Sequence, residues 1–217
     1  SISAPAPFTK VFIGKGMREF SSPPKRITGE DIDMLINASL PKEAPEGYCL
    51  IHSTPFSYVL DGAFRSDIGE DAYASRIEVN VSHMYVNEAF LNPVREAIKS
   101  AGFQPGVCIS SALAQALMLI SEKERQKPAI LLDIGYTHTD VIVALRSAIV
   151  GQDTIEMGGK QFAGDLAYGL NIPKTAAELV KRRYVFSLDY QDSVELIRTA
   201  EGTLSVERSH IQYILEE

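Results

Sequence analysis

The sequence predicts an α/β chain in two parts, a β-rich first half with amphipathic helices and a second half of strands followed by helices. Residues 76–85 alternate strictly between apolar and polar side chains, which indicates a half-buried strand. The next segment, ending at Ala101, carries apolar side chains at helical spacing. Further on, the apolar runs 130–132 and 141–143 flank a short polar turn, a pattern typical of strands covered on both sheet faces.

Composition limits the class of protein. The chain has 217 residues, 45% of them hydrophobic and 23% charged, which is ordinary for one large globular domain or two small ones. A net charge of -7 argues against nucleic acid as the main partner. No apolar run reaches the roughly 18 residues of a membrane span, and no signal peptide is visible. Cys49 and Cys108 lie in apolar surroundings, which predicts reduced core cysteines of a cytosolic protein.

Local signals place the first elements. Thr28 is predicted to cap a helix by accepting a hydrogen bond from the N–H three residues on, with Asp31 in the first turn. Strands are predicted at residues 48–52 and 58–60, with a break at Pro55.

Pro93 and a predicted domain boundary lie in the middle of the chain. Pro93 predicts that the regular part of the following helix begins at Asn92, because proline is favoured at the first helical position. A boundary is predicted near residues 105–111, which divides the chain into domains at 1–110 and 111–217.

The second half continues with further elements. The pair 158–159 (Gly-Gly) is predicted to open a helix, and the spacing of Thr175 and Glu178 predicts a capping box at the start of the next helix. Residues 185–204 are predicted to form a hairpin with its turn near 189–192.

The two ends of the chain predict an excised fragment of a longer protein. The chain begins at Ser1 without methionine. It stops at residues 211–217, inside a helical pattern that has no cap or glycine stop.

The turn between the two apolar runs is the first candidate site. Between Asp133 and Asp140 stand one glycine, Gly135, and two threonines, Thr137 and Thr139. An acid at the end of a strand, followed by glycine and hydroxyls, can bring oxygens and backbone N–H groups near a phosphate, with Asp133 holding Mg²⁺ through water. The alternative is a plain hairpin in which both aspartates are solvated turn residues.

Two further segments are candidates for the same kind of ligand. Gly158 and Gly159 precede a helix, and backbone N–H groups at a helix start attract anions; the alternative is a sharp strand-to-helix turn. Glu178 and Lys181 lie three residues apart on one helix face and could hold a ribose. From spacing alone, the capping box of Glu178 with Thr175 is the favoured alternative.

The sequence lacks the motifs of several other kinds of functional site. The four histidines show no metal-ligand spacing, and no P-loop, dinucleotide or nucleophile-elbow motif occurs. Spacing therefore predicts a nucleotide-phosphate turn without a complete catalytic set.

The order of these motifs resembles a known family. Residues 131–143 resemble the second phosphate motif of the actin/chaperone/sugar-kinase superfamily. Residues 158–167 and 176–184 behind it are similar to the bacterial cell-division actin homologue FtsA. Ahead of it, residues 55–61 resemble the subdomain that FtsA inserts into its first actin-like lobe, and the likeness runs from about Val11 to the end of the chain.

The resemblance implies a two-lobed actin-like parent that binds ATP and Mg²⁺ in the cleft between its lobes. Residues 1–110 would be the insertion subdomain with a flanking lead-in, and 111–217 a partial second lobe with an actin-like, ribonuclease-H-like fold. The family tethers FtsZ to the inner membrane through an amphipathic helix and polymerises. The implied partners are FtsZ, other division proteins and further copies. The implied location is cytoplasmic, at the inner face of the membrane, and no cofactor is expected in the fragment alone.

The resemblance also assigns roles by position. Asp133, Gly135 and Thr139 would approach phosphate and Mg²⁺, together with the Thr137 hydroxyl. The remaining assignments are phosphate for Gly158 and Gly159, and ribose and adenine for Glu178 and Lys181.

The chain departs from the family at three positions. Tyr136 and Thr137 stand where FtsA typically has glycines, and Ala163 replaces a hydroxyl residue. A tyrosine in a phosphate loop takes steric room and removes the positive-φ freedom of glycine. ATP hydrolysis by the parent is thus an open question, with weak activity as its upper limit. The competing function is a nucleotide-independent actin-like scaffold of a pilus or secretion assembly, and a chaperone- or kinase-type ATPase is disfavoured by the insertion.

Overall fold

A computed structural model describes residues 1–20, 23–69, 71–184, 193–199 and 202–216 of the chain. The chain forms two compact units. Unit 1 comprises Ser1–Asp133 and Asp140–Thr154, and unit 2 comprises Ile134–Thr139 and Ile155–Glu217. The family-based division into 1–110 and 111–217 stays a prediction.

Strands and helices are mixed along the chain, so the predicted α/β class is confirmed. The strands are β1 (Ile2–Ala4), β2 (Thr9–Glu19), β3 (Lys25–Arg26), β4 (Tyr48–Leu60), β5 (Ala63–Arg65), β6 (Tyr73–Ala74), β7 (Arg76–Asn87), β8 (Cys108–Ser110), β9 (Ala129–Ile134), β10 (Thr139–Leu145), β11 (Ala148–Ile155), β12 (Val194–Thr199) and β13 (Gly202–Glu207). The α-helices are α1 (Gly29–Ala38), α2 (Glu88–Ser100), α3 (Ser111–Leu119), α4 (Gly159–Gly169), α5 (Lys174–Arg183) and α6 (Arg208–Glu216).

The largest sheet of unit 1 has the strand order β2-β7-β4-β5, with antiparallel neighbours. The alternating strand predicted at 76–85 is β7, whose Ile77, Val79 and Val81 are fully buried. Helix α1 covers this face, and its N-terminal cap is confirmed. The Thr28 hydroxyl accepts from the Asp31 N–H at 3.3 Å, and the Asp31 carboxylate accepts from the Thr28 N–H at 3.1 Å.

The predicted break at Pro55 is wrong, because β4 continues from Tyr48 to Leu60. The proline sits instead at a register shift between Pro55 and Ser57, where β4 bulges against β7. A bulge accommodates a residue that has no N–H to give to the ladder, so the strand bends there without ending.

The predicted start of α2 at Asn92 is also wrong, since the helix begins at Glu88. The Asn87 side chain caps it by accepting from the Ala89 N–H at 2.8 Å. Pro93 therefore lies inside the helix, where it removes one backbone donor. The cap and the buried Leu91 outweigh that loss.

The second sheet has the order β11-β10-β9 and contains the two apolar runs. Strand β10 buries Ile142 and Ala144 as expected, but β9 does not fit the expectation of strands covered on both faces. Ile130 is 69% exposed and Leu132 55% exposed. Strand β9 lies at the edge of the sheet, and one face of it has no covering element among the described residues.

Unit 2 is built around α4, α5 and α6. Leu166, Val180 and Ile211, one from each helix, are almost completely buried. Strands β12 and β13 pair antiparallel, from Val194 opposite Glu207 to Thr199 opposite Gly202. The turn predicted near 189–192 lies outside the described residues.

Both cysteines are free thiols of unit 1. Cys108 is buried and Cys49 is half-buried, next to the same cluster around Leu91. Burial raises the pKa of the Cys108 thiol above its usual value. Among the described helices, none combines the length and the apolarity that crossing a bilayer requires.

Candidate functional site

The turn after β9 is closed by its glycine. The Gly135 N–H donates to the His138 carbonyl at 2.9 Å. A Cβ atom at Gly135 would stand 2.9 Å from that same carbonyl oxygen, so a side chain does not fit. The tight turn predicted from the sequence therefore depends on glycine at this position.

The start of α4 rests on this turn. The Gly159 N–H donates to the Gly135 carbonyl at 3.0 Å, and the Lys160 N–H donates to the Tyr136 carbonyl at 2.7 Å. The Gly158 N–H donates to the Gln161 side chain at 2.9 Å. The helix-start donors expected to attract an anion are thus bonded to carbonyl oxygens of the protein itself.

The two glycines at the helix start differ in how much room they leave. A Cβ atom at Gly158 would lie 2.5 Å from the Gly135 carbonyl oxygen, so this position requires glycine. A Cβ atom at Gly159 would lie 2.8 Å from the Lys181 ammonium nitrogen, the end of a flexible side chain that would have to move. Gly158 therefore allows the turn and the start of α4 to meet, whatever else the pair binds.

Lys181 of α5 reaches back to the same place. Its ammonium group donates to the Gly159 carbonyl at 2.9 Å and pairs with the Glu178 carboxylate at 2.8 Å. It also lies over the Tyr136 ring, 5.1 Å from the ring centre, within the range of a cation–π interaction. The lysine is 20% exposed, so its charge is balanced mainly by these protein groups.

The predicted capping box of Glu178 with Thr175 is wrong. Helix α5 starts at Lys174, and its N-cap, Pro173, makes no side-chain cap. Glu178 lies beyond the first turn, and its carboxylate pairs with Lys181 and with Arg182 at 2.9 Å. The hydrogen bond from Lys181, followed by that from Arg182, outweighs burial and lowers the pKa of Glu178.

The two threonines of the turn differ in their contacts. The Thr139 hydroxyl donates to the Met157 carbonyl at 2.8 Å, so it ties the turn to the segment that precedes α4. Thr137 is exposed, and its hydroxyl lies 3.0 Å from the His138 ring nitrogen. Thr137 is thus the turn hydroxyl with the more open position.

The two aspartates belong to unit 1. The Gln115 amide donates to the Asp133 carboxylate at 2.8 Å. Asp140 is buried and accepts from the Thr154 hydroxyl at 2.6 Å. The alternative reading of both as solvated turn residues is therefore wrong for Asp140. Within the described parts of the chain, no three His, Cys, Asp or Glu side chains gather as a metal-binding group.

Unit 2 thus brings together most of the predicted ligand residues. Gly135, Gly158, Gly159 and Lys181 meet directly, and Glu178 is joined to them by its ion pair. Thr139 is linked through the backbone of Met157. Asp133 belongs to unit 1, where it accepts a hydrogen bond from Gln115.

Two contacting residues were missed by sequence reasoning. Tyr136 was noted as a departure from the family, but its contact with Lys181 was not expected. Gln115 is the one polar residue in the middle of the apolar helix α3, and that exception was the signal that could have found it.

Comparison with known families shows that the chain is similar to a cell-division protein. The sequence profile of the family described as "Cell division protein FtsA" matches residues 130–211. FtsA of Pseudomonas aeruginosa is 25% identical over 166 residues, which are 76% of this chain and 39% of that protein. FtsA of Streptococcus pneumoniae is 23% identical over an alignment that covers 100% of this chain and 50% of that protein. The resemblance to FtsA is confirmed, and the chain spans half or less of these relatives' length.

Parts of the chain also align with solved structures. A protein of the PilM–PilN type IV pilus biogenesis complex has a TM-score of 0.48 at 20% identity, covering 80% of this chain and 48% of that one. MreB5 of Spiroplasma citri bound to ADP has a TM-score of 0.48 at 20% identity, covering 60% of this chain and 44% of that one.

Proposed function

We propose that this FtsA-like chain is part of an actin-like division scaffold that links FtsZ filaments to the inner face of the cell membrane. The observation that carries the proposal is the FtsA profile match over residues 130–211. That stretch contains the turn after β9 and helices α4 and α5, the parts that meet in unit 2. In this proposal the parent protein also contacts other division proteins and further copies of itself.

The proposal includes ATP and Mg²⁺ as ligands of the parent protein. Three segments that the resemblance assigned to the nucleotide converge in unit 2: Gly135 in the turn, Gly158–Gly159 at the start of α4, and Lys181 on α5. Lys181 and Glu178 would contact the ribose and adenine, and Gly158 and Gly159 would lie near phosphate. Asp133 would hold Mg²⁺ through water.

Fluorescent ATP binding to the full-length parent tests the nucleotide part. Lys181→Gln is expected to weaken binding at least tenfold, because a charged contact to the nucleotide is lost. Lys174→Gln, which changes an exposed lysine at the start of the same helix, is the matched control and is expected to bind like the wild type. Asp133→Ala is expected to remove the Mg²⁺ dependence. Absence of any Mg²⁺-dependent signal in the wild type contradicts nucleotide binding.

Co-sedimentation tests the division role separately. The full-length parent is expected to pellet with FtsZ polymers, and with vesicles that carry anionic lipid when FtsZ is absent. A parent that stays in the supernatant with preformed FtsZ polymers contradicts the link to FtsZ, whatever its behaviour toward nucleotide.

A second candidate function is a scaffold that assembles without nucleotide. The observation that favours it is that the hydrogen-bond donors of the site are already bonded to other groups of the protein. The N–H groups of Gly159 and Lys160 are bonded to carbonyl oxygens of the turn, and Lys181 is paired with Glu178. Pelleting of the parent that is unchanged by ATP, together with absent ATP binding, would support this candidate over the first.

A further inference from the structure

Unit 1 contains a cavity of about 790 Å³ that is separate from the turn and helices described above. It is lined by the start of α1, the middle of β4, residues 66–69, residues 122–126 and the turn between β10 and β11. This volume is in the range of pockets that hold small organic ligands. Its walls combine apolar side chains, such as Ile27, Ile32 and Ile68, with three arginines.

Arg125 puts a positive charge into the wall of this cavity without an acidic partner. The side chain is 9% exposed, so its guanidinium is almost fully removed from solvent. Its Nε donates to the Ile120 carbonyl at 3.0 Å, and one terminal nitrogen donates to the Arg146 carbonyl. Among the described residues no carboxylate pairs with it. A buried cation of this kind is normally compensated by an anion.

Arg146 is the second unusual cation of the cavity. It lies in the two-residue connection between β10 and β11 with a φ of 53°, a conformation that favours glycine, asparagine or aspartate over arginine. One terminal nitrogen donates to the Phe56 carbonyl, and the guanidinium lies 5.3 Å from the centre of the Phe64 ring. Its Nε is buried and has no hydrogen-bond partner among the described residues.

The turn does not require an arginine at this strained backbone position. The reason for the arginine therefore lies in what its side chain contacts. Asparagine would satisfy the backbone at this φ without strain. Residues held in sparsely populated backbone conformations cluster at functional sites, and a buried unpaired N–H requires its own explanation. The Arg125 guanidinium also donates to the Arg146 carbonyl, and the Arg146 N–H donates to the Arg125 carbonyl, so the two residues are tied together in the wall of the cavity.

The wall of the cavity carries charges of both signs. Three arginines (Arg26, Arg125 and Arg146) and two carboxylates (Asp67 and Glu122) line it. Arg26 pairs with Asp71 at 3.2 Å near the surface, whereas among the described residues neither carboxylate of the wall forms an ion pair with Arg125 or Arg146. The two inner guanidinium groups are therefore the ones that a ligand would meet.

Tyr58 adds a hydrogen-bond donor to the lining of the cavity. The residue is half-buried, and burial together with the nearby Asp67 charge raises the pKa of its phenol above the usual value. The hydroxyl is therefore protonated at neutral pH and can donate to an oxygen of a ligand.

We propose that this cavity is a binding site for a small organic monocarboxylate with an apolar body. The carboxylate pairs with the Arg125 and Arg146 guanidinium groups, which match its planar geometry. The apolar body lies against Ile27, Ile32 and Ile68. Every residue that lines the cavity belongs to unit 1, and none of them is among the predicted nucleotide ligands.

Fluorine NMR on the 217-residue chain tests the proposal with two probes of equal shape. The signal of 4-fluorobenzoate is expected to broaden on addition of protein, whereas that of the neutral 4-fluorobenzamide is expected to broaden several-fold less. In Arg146→Asn the turn keeps a residue that accepts its φ, so the fold is retained and the broadening by benzoate is expected to fall at least fivefold.

Two further variants separate charge from fold. Arg146→Lys keeps the charge and the backbone strain but loses the planar fork, and it is expected to weaken benzoate binding. Lys42→Asn removes one positive charge from an exposed position outside the cavity and is expected to bind like the wild type. Equal broadening of the acid and the amide, or wild-type broadening in both Arg146 variants, overturns the proposal.

Discussion

At the level of single residues, the Lys181 ammonium group is held by three different protein groups. Its ammonium group has a carbonyl, a carboxylate and an aromatic ring around it, contributed by Gly159, Glu178 and Tyr136. The resemblance to FtsA implies glycine at the position of Tyr136, so the sequence departure supplies the ring of this contact. A cation over an aromatic ring contributes about 0.5–1 kcal/mol at a partly exposed position.

Removing the ring is expected to loosen the lysine. Tyr136→Gly should raise the rate of chemical acylation of Lys181 about two- to fivefold, because that factor corresponds to the cation–π energy. Peptide mass spectrometry after brief labelling measures the rate, with the exposed Lys174 as the internal reference. Tyr136→Phe keeps the ring and should label like the wild type. Equal labelling of Lys181 in all three proteins would show that the ion pair alone holds it.

Residue-level prediction succeeded where a contact is local in sequence. The cap formed by Thr28 and Asp31 spans three residues, so spacing alone predicts it. Glu178 and Thr175 have the same spacing, yet the helix begins two residues too early for a cap there, and Glu178 pairs with Lys181 instead. Identical spacing gave two outcomes because the helix start is decided by the chain around it.

At the scale of elements, the contact between β2 and α1 depends on two glycines in the strand. A Cβ atom at Gly14 would stand 1.9 Å from the Ser39 carbonyl oxygen, and one at Gly16 would stand 2.3 Å from the Leu35 carbonyl oxygen. The last turn of the helix therefore lies directly on the strand backbone. Glycine inside a strand is a sequence signal for such close approach.

A methyl group at this contact is expected to destabilise unit 1. Gly16→Ala should lower the free energy of unfolding by about 1–3 kcal/mol, because the helix must move to make room. Urea unfolding followed by circular dichroism measures the change. Gly29→Ala, at the start of the same helix, has no atom within 4 Å of the added Cβ and should change stability by less than about 0.5 kcal/mol. Similar losses in both variants would argue against the steric explanation.

Prolines show where element prediction from sequence fails. Pro55 and Pro93 both predict an interruption, and both lie inside continuous elements. The neighbouring strand β7 supports the bulge at Pro55, and the side chain of Asn87 fixes the start of α2 ahead of Pro93. Pairing with a neighbouring strand accommodates the missing N–H at Pro55, whereas a local side-chain cap fixes the helix start ahead of Pro93.

At the scale of the whole molecule, two buried titratable groups make stability depend on pH. Burial raises the pKa of Asp31, but hydrogen bonds from Lys25 and Thr28 outweigh it and bring the pKa from 3.8 down to about 2. Burial lowers the pKa of His83 below 6.5, in a site where the ring lies 2.8 Å from the Ser39 hydroxyl and 2.8 Å from that of Ser53. Both groups belong to unit 1.

The two shifts act in the same direction. A histidine with a lowered pKa binds fewer protons in the folded state, so its stabilising contribution is complete above pH 6.5 and declines below it. An aspartate with a lowered pKa stabilises above pH 3.8, and this contribution is lost as the pH falls toward 2. The thermal midpoint of the chain is therefore expected to fall in two stages on acidification.

Thermal unfolding between about pH 2 and pH 8 measures this dependence. His83→Gln should flatten the curve below about pH 6.5 without changing the acid branch. Asp31→Asn should flatten the acid branch and lower stability at neutral pH by about 1–2 kcal/mol, allowing for the solvent exposure of its lysine partner. A wild-type midpoint that is constant from pH 7 to pH 5 would contradict the role given to His83.

The amino-acid sequence was sufficient to predict the class of fold, the tight turn after β9 and the capped start of α1. Those features follow from periodicity and from caps and turns, which act over a few neighbouring residues. Its motif order also predicted the likeness to FtsA that the profile match confirms over residues 130–211.

Contacts between residues that are distant in sequence became visible only in the folded chain. Lys181 donates to Gly159 across 22 residues of sequence, and it lies over Tyr136. The Arg125–Arg146 pair spans 21 residues and has no motif at all. Such contacts depend on how elements pack, and packing is governed by the shape of the whole unit rather than by any local pattern. Gly158, which the sequence marked for a ligand, is also the glycine that allows the turn and the start of α4 to meet.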